Sequence, residues 1–171
     1  MIIRLLKPHD AKEYYDLRLE ALQVNPEAFS TSFEEVITSP NIVEHYEKSF
    51  RQTNTYNFGV FQENKMIGMV TLFPETKEKL KHKASIFAMY VKPAYRGQGI
   101  GKLLLEATLK QAYELGGISK INLSVVSNNQ EAKGLYQRYG FKTFGLEEKA
   151  LMVNHAFYDE EYMSLWLSNK E

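Results

Sequence analysis

Val91-Lys92-Pro93-Ala94-Tyr95-Arg96-Gly97-Gln98-Gly99-Ile100-Gly101-Lys102 joins an apolar run to an amphipathic one, and the rest of the chain is best read outward from it. Upstream, Ser85 to Val91 carries Ile86, Phe87, Met89, Tyr90 and Val91, too apolar for a half-exposed strand, which predicts a central strand of a sheet. Downstream, Ile100, Leu103, Leu104 and Ala107 share one helical face. Leu105, Leu109 and Ala112 widen it, so a helix is predicted up to the Gly116-Gly117 stop. Between the two, closely spaced glycines remove the Cβ atoms that would block a ligand, and the first helical N–H groups have no intrahelical partner. The helix dipole adds roughly half a positive charge there, so the natural guest is a phosphate or pyrophosphate. Lys92, Arg96 and Lys102 add cationic side chains with no acidic residue between them. A glycine-rich turn can also be no more than a tight connection. Neither a GxxxxGK[ST] loop nor a GxGxxG fingerprint is present, the residue three after Gly101 being Leu104.

On the N-terminal side, Ile2 to Leu6 predicts a short strand stopped by Pro8, and Asp10 suits the N-cap of a helix carrying Tyr14, Leu17, Leu19, Ala21 and Leu22 as far as Asn25-Pro26. Phe29 to Thr38 lacks a clean period and reads as loop or frayed helix; Ile42 to Phe50 reads as a second short helix. Tyr56–Phe61 and Met66–Phe73 are β-type runs at hairpin spacing around Glu63-Asn64-Lys65. Beyond the glycine turn and its helix, Ile121, Leu123, Val125 and Val126 predict another buried strand. Asn129 caps a helix with Ala132, Leu135 and Tyr136, and Phe141–Val153 and Phe157–Leu167 predict two long closing strands. The order implies an α/β (α+β) fold with a mixed sheet flanked by helices, whose middle βαβ unit is parallel.

The chain has 171 residues, 44% hydrophobic and 25% charged, which fits one ordinary globular domain over 1–171. With no cysteine, a thiol nucleophile, a disulfide framework and thiolate metal sites are excluded, and the four histidines form no HxH or HExxH pair, so no metal is expected. Lys plus Arg (21) equals Asp plus Glu (21), leaving no global cationic field for nucleic acid or an anionic membrane surface. No stretch approaches the roughly 20 apolar residues of a membrane span, and Met1–Leu6 has too few apolar residues for a signal-peptide core. The expected setting is cytoplasmic.

Arg96-Gly97-Gln98-Gly99-Ile100-Gly101 resembles the Q/R-x-x-G-x-G/A signature of the GNAT superfamily of N-acetyltransferases. Asn129-x-x-Ala132-x-x-Leu135-Tyr136 followed by Gly140-Phe141 is similar to that family's N-x-x-A-x-x-L-Y…GF segment. The two blocks come in the family's order, each on its predicted element. The resemblance covers Ser85 to Phe141 most strongly and Phe29 to Phe50 least.

The resemblance implies acetyl-coenzyme A as cosubstrate, a single domain with the GNAT-like sheet flanked by helices on both faces, and acetyl transfer directly to a primary amine in a ternary complex. Arg96, Gly97, Gln98, Gly99, Ile100, Gly101 and Lys102 would hold the pyrophosphate. Met89 and Val91 would pair their backbone with the pantetheine arm between two splayed strands, and Asn129 would flank it. Tyr136 matches the family position that protonates the departing thiolate; its other reading is a packing aromatic beside Leu135.

The general base is where the chain departs from the family. Many members carry a Glu early in the strand before the glycine turn, and here the stretch is His82-Lys83-Ala84-Ser85. An alkylamine of pKa ~10.4 is neutral in about one molecule in 2,500 at pH 7, a cost of ~4.6 kcal/mol that calls for assistance. Glu34 and Glu35 are the leading catalytic candidates, since the family's corresponding loop borders the acceptor, with His82 or a water chain as alternatives; the two Glu also read as a solvated surface pair. Glu147, Glu148, Asp159, Glu160 and Glu161 form either an acidic rim that attracts a cationic acceptor or a solvated edge that guards terminal strands. The missing strand Glu keeps open a non-catalytic acyl-coenzyme A binding or sensor module. The acceptor, a small-molecule amine or a protein or peptide amine, stays open, as does the oligomeric state, a homodimer included.

Overall fold

The computed structural model describes residues 1–52 and 54–167. Strand β1 (Ile2–Leu5) leads into a 3-10 turn at Pro8–Asp10 and helix α1 (Ala11–Val24). Asp10 sits at the N-cap, as expected, but its side chain does not cap α1. It is only 4% exposed and accepts two hydrogen bonds from the Arg4 guanidinium, at 2.6 and 2.8 Å, and one from the Lys7 amide at 2.7 Å. The pair ties β1 to the start of α1. Helix α1 buries Tyr14, Leu17 and Ala21, one face at helical spacing, and ends before the 3-10 turn Pro26–Ala28.

The segment expected as loop or frayed helix contains α2 (Phe33–Thr38), followed by α3 (Ile42–Arg51). A capping box nucleates α2: the Glu35 amide donates to Ser32 Oγ at 3.1 Å and the Ser32 amide to Glu35 Oε2 at 2.6 Å. That S-x-x-E signal is legible in the sequence, but a helix of six residues is too short to show a hydrophobic period.

Strands β2 (Tyr56–Gln62) and β3 (Lys65–Pro74) form the expected hairpin, with Glu63 and Asn64 both at positive φ, as a tight type I′ turn requires. Then come β4 (Lys83–Val91), the 3-10 turn Pro93–Tyr95, α4 (Ile100–Leu115), β5 (Lys120–Val126), α5 (Gln130–Arg138), β6 (Lys142–Val153) and β7 (Ala156–Trp166). All seven strands form one mixed sheet in the order β1-β2-β3-β4-β5-β7-β6, with β4 at its centre and β4–β5 its one parallel pair.

Two cores sit on opposite faces. On one, Ile100, Leu104, Leu105 and Ala112 of α4 pack with Tyr136 of α5 against Val60, Val70, Leu72 and Ile121. On the other, Tyr14, Leu17 and Ala21 of α1 pack against Phe61, Met66, Met69 and Tyr90, with Tyr46 and Phe50 of α3 at the margin. Each fully buried Leu or Ile contributes about 1.5–3 kcal/mol, so α4 is pinned chiefly by its own apolar stripe. Among the described residues no helix is long and apolar enough to cross a membrane.

Candidate active site

The site begins with a failure of strand pairing. β4 pairs with β5 only at Lys83↔Lys120, Ala84↔Ile121 and Ser85↔Asn122; beyond these the parallel ladder stops. On its other side β4 bulges, with Ala88 and Met89 together facing the single Val70 position, and Ala88 held at φ +52. A non-glycine residue in that region is strained, and such strain is kept where the surroundings enforce it. The bulge turns the end of β4 away from β5 and leaves a gap in the middle of the sheet.

Two chambers meet at this gap. The first, about 440 Å³, is walled by the glycine turn, the ends of β4 and α5, and the side chains of Arg96, Lys102, Leu135 and Arg138. The second, about 850 Å³, lies under α1 and residues 27–31, with Phe87, Ser124, Glu160 and Tyr162 on the sheet side. Met89, Asn129, Ala132 and Tyr136 line both, and so form the junction.

In the first chamber the backbone is the main donor. Among the described residues, the amides from Gly97 through Lys102 donate no hydrogen bond within the protein; the first to do so is Leu103, to Gly99 O at 3.1 Å. Gly97 and Gly99 lie at φ +74 and +79, and a Cβ on either would project into open space with nothing within 4 Å. They therefore form a cradle that a side chain would fill and a phosphate can enter. Gly101 serves packing instead, since a Cβ there would stand 3.3 Å from Leu135 Cδ2 and 3.6 Å from Met89 Cε. Free amides, a cationic wall and an open slot between strands fit a pyrophosphate followed by an extended arm, which are the features of coenzyme A.

Several expected contributors are used differently. Lys92 does not face the cradle: its Nζ is 2.9 Å from Glu20 of α1. Arg96 lines both chambers, but two of its donors are engaged, Nε to Val91 O at 3.0 Å and Nη2 to Asn25 Oδ1 at 2.7 Å. The Val91 carbonyl thus already has one partner. Gln98 donates to Ala94 O at 3.3 Å, and Ile100, the first residue of α4, buries its side chain in the core. Asn129 Oδ1 accepts from the Ala132 amide at 3.1 Å, capping α5, and the residue lines both chambers.

Tyr136 is 7% exposed, and burial pushes its phenol up to about 12. Its hydroxyl donates to Met89 Sδ at 3.3 Å. Phe141, from the GF segment, packs on the ring with centroids 5.8 Å apart.

The structure does not bring Glu34 or Glu35 to either chamber. Both are exposed on α2, and the Glu35 carboxylate is held by the Ser32 amide, which pulls its pKa down. The acidic residues of the closing strands also divide. Glu161 faces the α5 side and pairs with Lys133 at 2.5 Å; Asp159 accepts from the Lys149 amide; Glu147 accepts from the Tyr162 hydroxyl. Glu160, one residue before Glu161 and hence on the other face of β7, lines the second chamber and accepts from Ser124 Oγ at 3.2 Å. Arg18 and Phe29 also line it, and neither is marked by any sequence motif.

Comparison with known proteins follows this geometry. The model of the acetyltransferase (GNAT) family matches residues 14–141. A spermine/spermidine N(1)-acetyltransferase of Bacillus subtilis (strain 168) is 36% identical over 90 residues, 51% of this chain and 59% of that protein; the chain thus spans about three fifths of that relative. Among solved structures, an acetyltransferase of the GNAT family from Streptococcus pneumoniae superposes with a TM-score of 0.86 at 24% identity, covering 97% of this chain and 99% of that one. The Salmonella typhimurium protein yncA, solved with its cofactor acetyl-CoA, gives a TM-score of 0.85 at 16% identity over 100% and 96% of the two chains. At these identities the structural likeness establishes a shared fold.

Proposed function

From a chain that belongs to the acetyltransferase (GNAT) family, with residues 14–141 matching it, we propose an enzyme that transfers the acetyl group of acetyl-coenzyme A directly to a primary amine in a ternary complex. The reading takes residues 1–171 as one catalytic unit. The observation that carries it is the meeting of two chambers at Tyr136 and Met89 through the gap between β4 and β5. A binding or sensor module needs only the first chamber. A second chamber reaching the same tyrosine is what a reaction with an acceptor requires.

Acetyl-coenzyme A supplies a thioester, whose acyl carbon bonds to the amine nitrogen as the C–S bond breaks and whose sulfur then needs a proton. This chain's residues bind, orient and move protons around that exchange. The amides from Gly97 to Lys102, with Arg96 and Lys102, hold the pyrophosphate, and the unpaired edge of β4 at Met89 and Val91 holds the arm as a further strand. Tyr136 keeps a proton on its hydroxyl at the junction, where its acceptor is a weakly accepting thioether and is readily exchanged for a better one. Glu160 takes over the role expected of Glu34 and Glu35: it receives a proton from the ammonium, leaving the neutral nitrogen that attacks. The balance is one amide formed, one thiol formed and one proton released to solvent.

A cationic or zwitterionic amine is the acceptor class that a carboxylate inside the second chamber favours, and the relatives named as polyamine acetyltransferases support an amine. The test is free-thiol release from acetyl-coenzyme A by the purified protein against an amine panel. Acetylated product with stoichiometric thiol supports the enzyme; tight coenzyme A binding with no turnover on any amine supports the sensor.

A further inference from the structure

We propose that Arg18 reads a carboxylate on the acceptor, so that the amine acetylated here belongs to a small amino acid rather than to a polyamine. The inference rests on the acetyl-transfer reading above and narrows its acceptor.

Arg18 projects from α1 into the second chamber. Its Nη1 is shielded from solvent and has no hydrogen-bond partner, and among the described residues the guanidinium makes no salt bridge. Two other arginines near the chambers and the β1 edge have acceptors, Arg4 at Asp10 and Arg96 at Val91 O and Asn25; Arg138 lines the first chamber but not the second. A guanidinium stays charged at any physiological pH and presents its donors in a rigid planar fork. Cut off from water without an acceptor, such a donor bears its desolvation cost with no compensating bond. Its orientation is nonetheless fixed, with the guanidinium carbon 4.5 Å above the Phe29 ring. The nearby phenols of Tyr14 and Tyr46 are held neutral by burial, which raises both pKa values, so neither supplies a counter-charge.

The opposite charge stands on the sheet side of the same chamber, at Glu160. Glu27 also lines the chamber but does not approach Arg18 within ion-pair distance. A ligand with an ammonium at Glu160 and a carboxylate at Arg18 satisfies both residues. A polyamine satisfies Glu160 and sets a second cation near an already unpaired guanidinium, which disfavours it.

The experiment uses matched acceptors: L-leucine, L-leucinamide and isopentylamine, together with L-ornithine and putrescine. kcat and KM are measured with acetyl-coenzyme A for wild type, Arg18→Gln and Arg18→Lys. Dissociation constants for L-leucine and L-leucinamide are measured by calorimetry on the coenzyme A-loaded protein. Dividing each acid-to-amine ratio by the same ratio in Arg18→Gln cancels intrinsic amine basicity. The expected quotient is at least about tenfold and resides in KM, with Arg18→Lys restoring only part of it because a point charge lacks the fork. L-leucine should also bind wild type at least about tenfold tighter than L-leucinamide. Equal binding of acid and amide to wild type, which needs no variant, or a preference that survives Arg18→Gln, overturns the inference. If no amine in the set is acetylated, the acetyl-transfer reading fails, and the binding comparison still decides the role of Arg18.

Discussion

The Tyr136 hydroxyl donates to the Met89 sulfur across 3.3 Å, linking α5 to the bulge of β4 at the junction of the two chambers. A thioether is a poor acceptor, so this bond holds the hydroxyl in place without consuming its ability to donate. Burial raises the phenol to about 12, which keeps the proton on the oxygen across the whole working range of an enzyme.

Tyr136→Phe removes the proton and keeps the ring that packs on Phe141. kcat should fall roughly 10²-fold while coenzyme A affinity changes by less than about twofold, read by steady-state kinetics and calorimetry. The form that donates is the protonated one, and burial moves its loss upward. The kcat profile of wild type should therefore show no falling limb from this group between pH 8 and 10. An undiminished kcat in a variant whose chemistry is rate-limiting would return Tyr136 to a packing role.

The cradle makes a separate claim on the backbone. In Gly99→Val the side chain enters the space that now has nothing within 4 Å of a Cβ, and it does so at φ +79, where a β-branched residue is strained. Coenzyme A affinity should drop at least tenfold, about 1.4 kcal/mol or more. A folded variant with unchanged affinity, by calorimetry and circular dichroism, would show that the pyrophosphate sits elsewhere.

The Arg4–Asp10 pair governs acid stability. Burial by itself would raise the Asp10 pKa, but the hydrogen bonds from Arg4 and from the Lys7 amide, with the nearby charge, outweigh it and hold the carboxyl below its ordinary value. A depressed folded pKa contributes stability that is present above the unfolded pKa and is lost as pH falls through the folded one. Asp10→Asn should thus cost about 2 kcal/mol at pH 7, less than a fully buried pair because Arg4 is 34% exposed. The difference from wild type should shrink as pH falls below the ordinary carboxylate pKa of about 3.9 toward the lower folded value. Urea unfolding at pH 7 and at pH 2.5 measures both; an equal gap at the two values would mean that the charge is not what Asp10 contributes.

Much of this was legible in the chain because it is local. The strand–glycine–helix stretch announces itself through composition and period, and the Asn129 to Phe141 block through spacing. What escaped depends on distant partners. Glu34 and Glu35 look equivalent in sequence, yet the capping box with Ser32 commits Glu35 to starting a helix, and neither residue reaches a chamber. Glu160 and Glu161 are adjacent and must take opposite faces of the strand, and only the register of β7 against β5, with Val126↔Glu160 and Val125↔Glu161, decides which of them meets the chamber. Arg18 lies on a helix face whose period says only that it is partly buried; that among the described residues no carboxylate of its chamber comes within ion-pair distance of it emerges from α1, residues 27–31 and the sheet together.

The adjacent pair Glu160 and Glu161 gives the sharpest contrast. Glu161 is committed to Lys133, whose hydrogen bond pulls the carboxylate below its ordinary pKa, and their side chains are only 17% and 13% exposed. Glu161→Gln should therefore lower stability by about 1–2 kcal/mol through the stranded Lys133, with kcat/KM per folded molecule unchanged within about twofold. Among the described residues Glu160 has only the Ser124 hydroxyl as its partner, and it lies in the second chamber. If it takes the ammonium proton, Glu160→Gln should lose on the order of 10² in kcat/KM at pH 7. The loss should shrink as pH approaches ~10.4, where the free amine no longer needs a base. Salt separates this role from long-range steering by an acidic rim. Steering fades as the screening length shortens from about 30 Å at 0.01 M to about 8 Å at 0.15 M, whereas a proton transfer inside the chamber is largely indifferent to it. The ratio of wild type to Glu160→Gln should consequently stay within about twofold across that range. A ratio that collapses with salt, or a loss that persists at pH 10, would remove Glu160 from the chemistry and leave it on the rim.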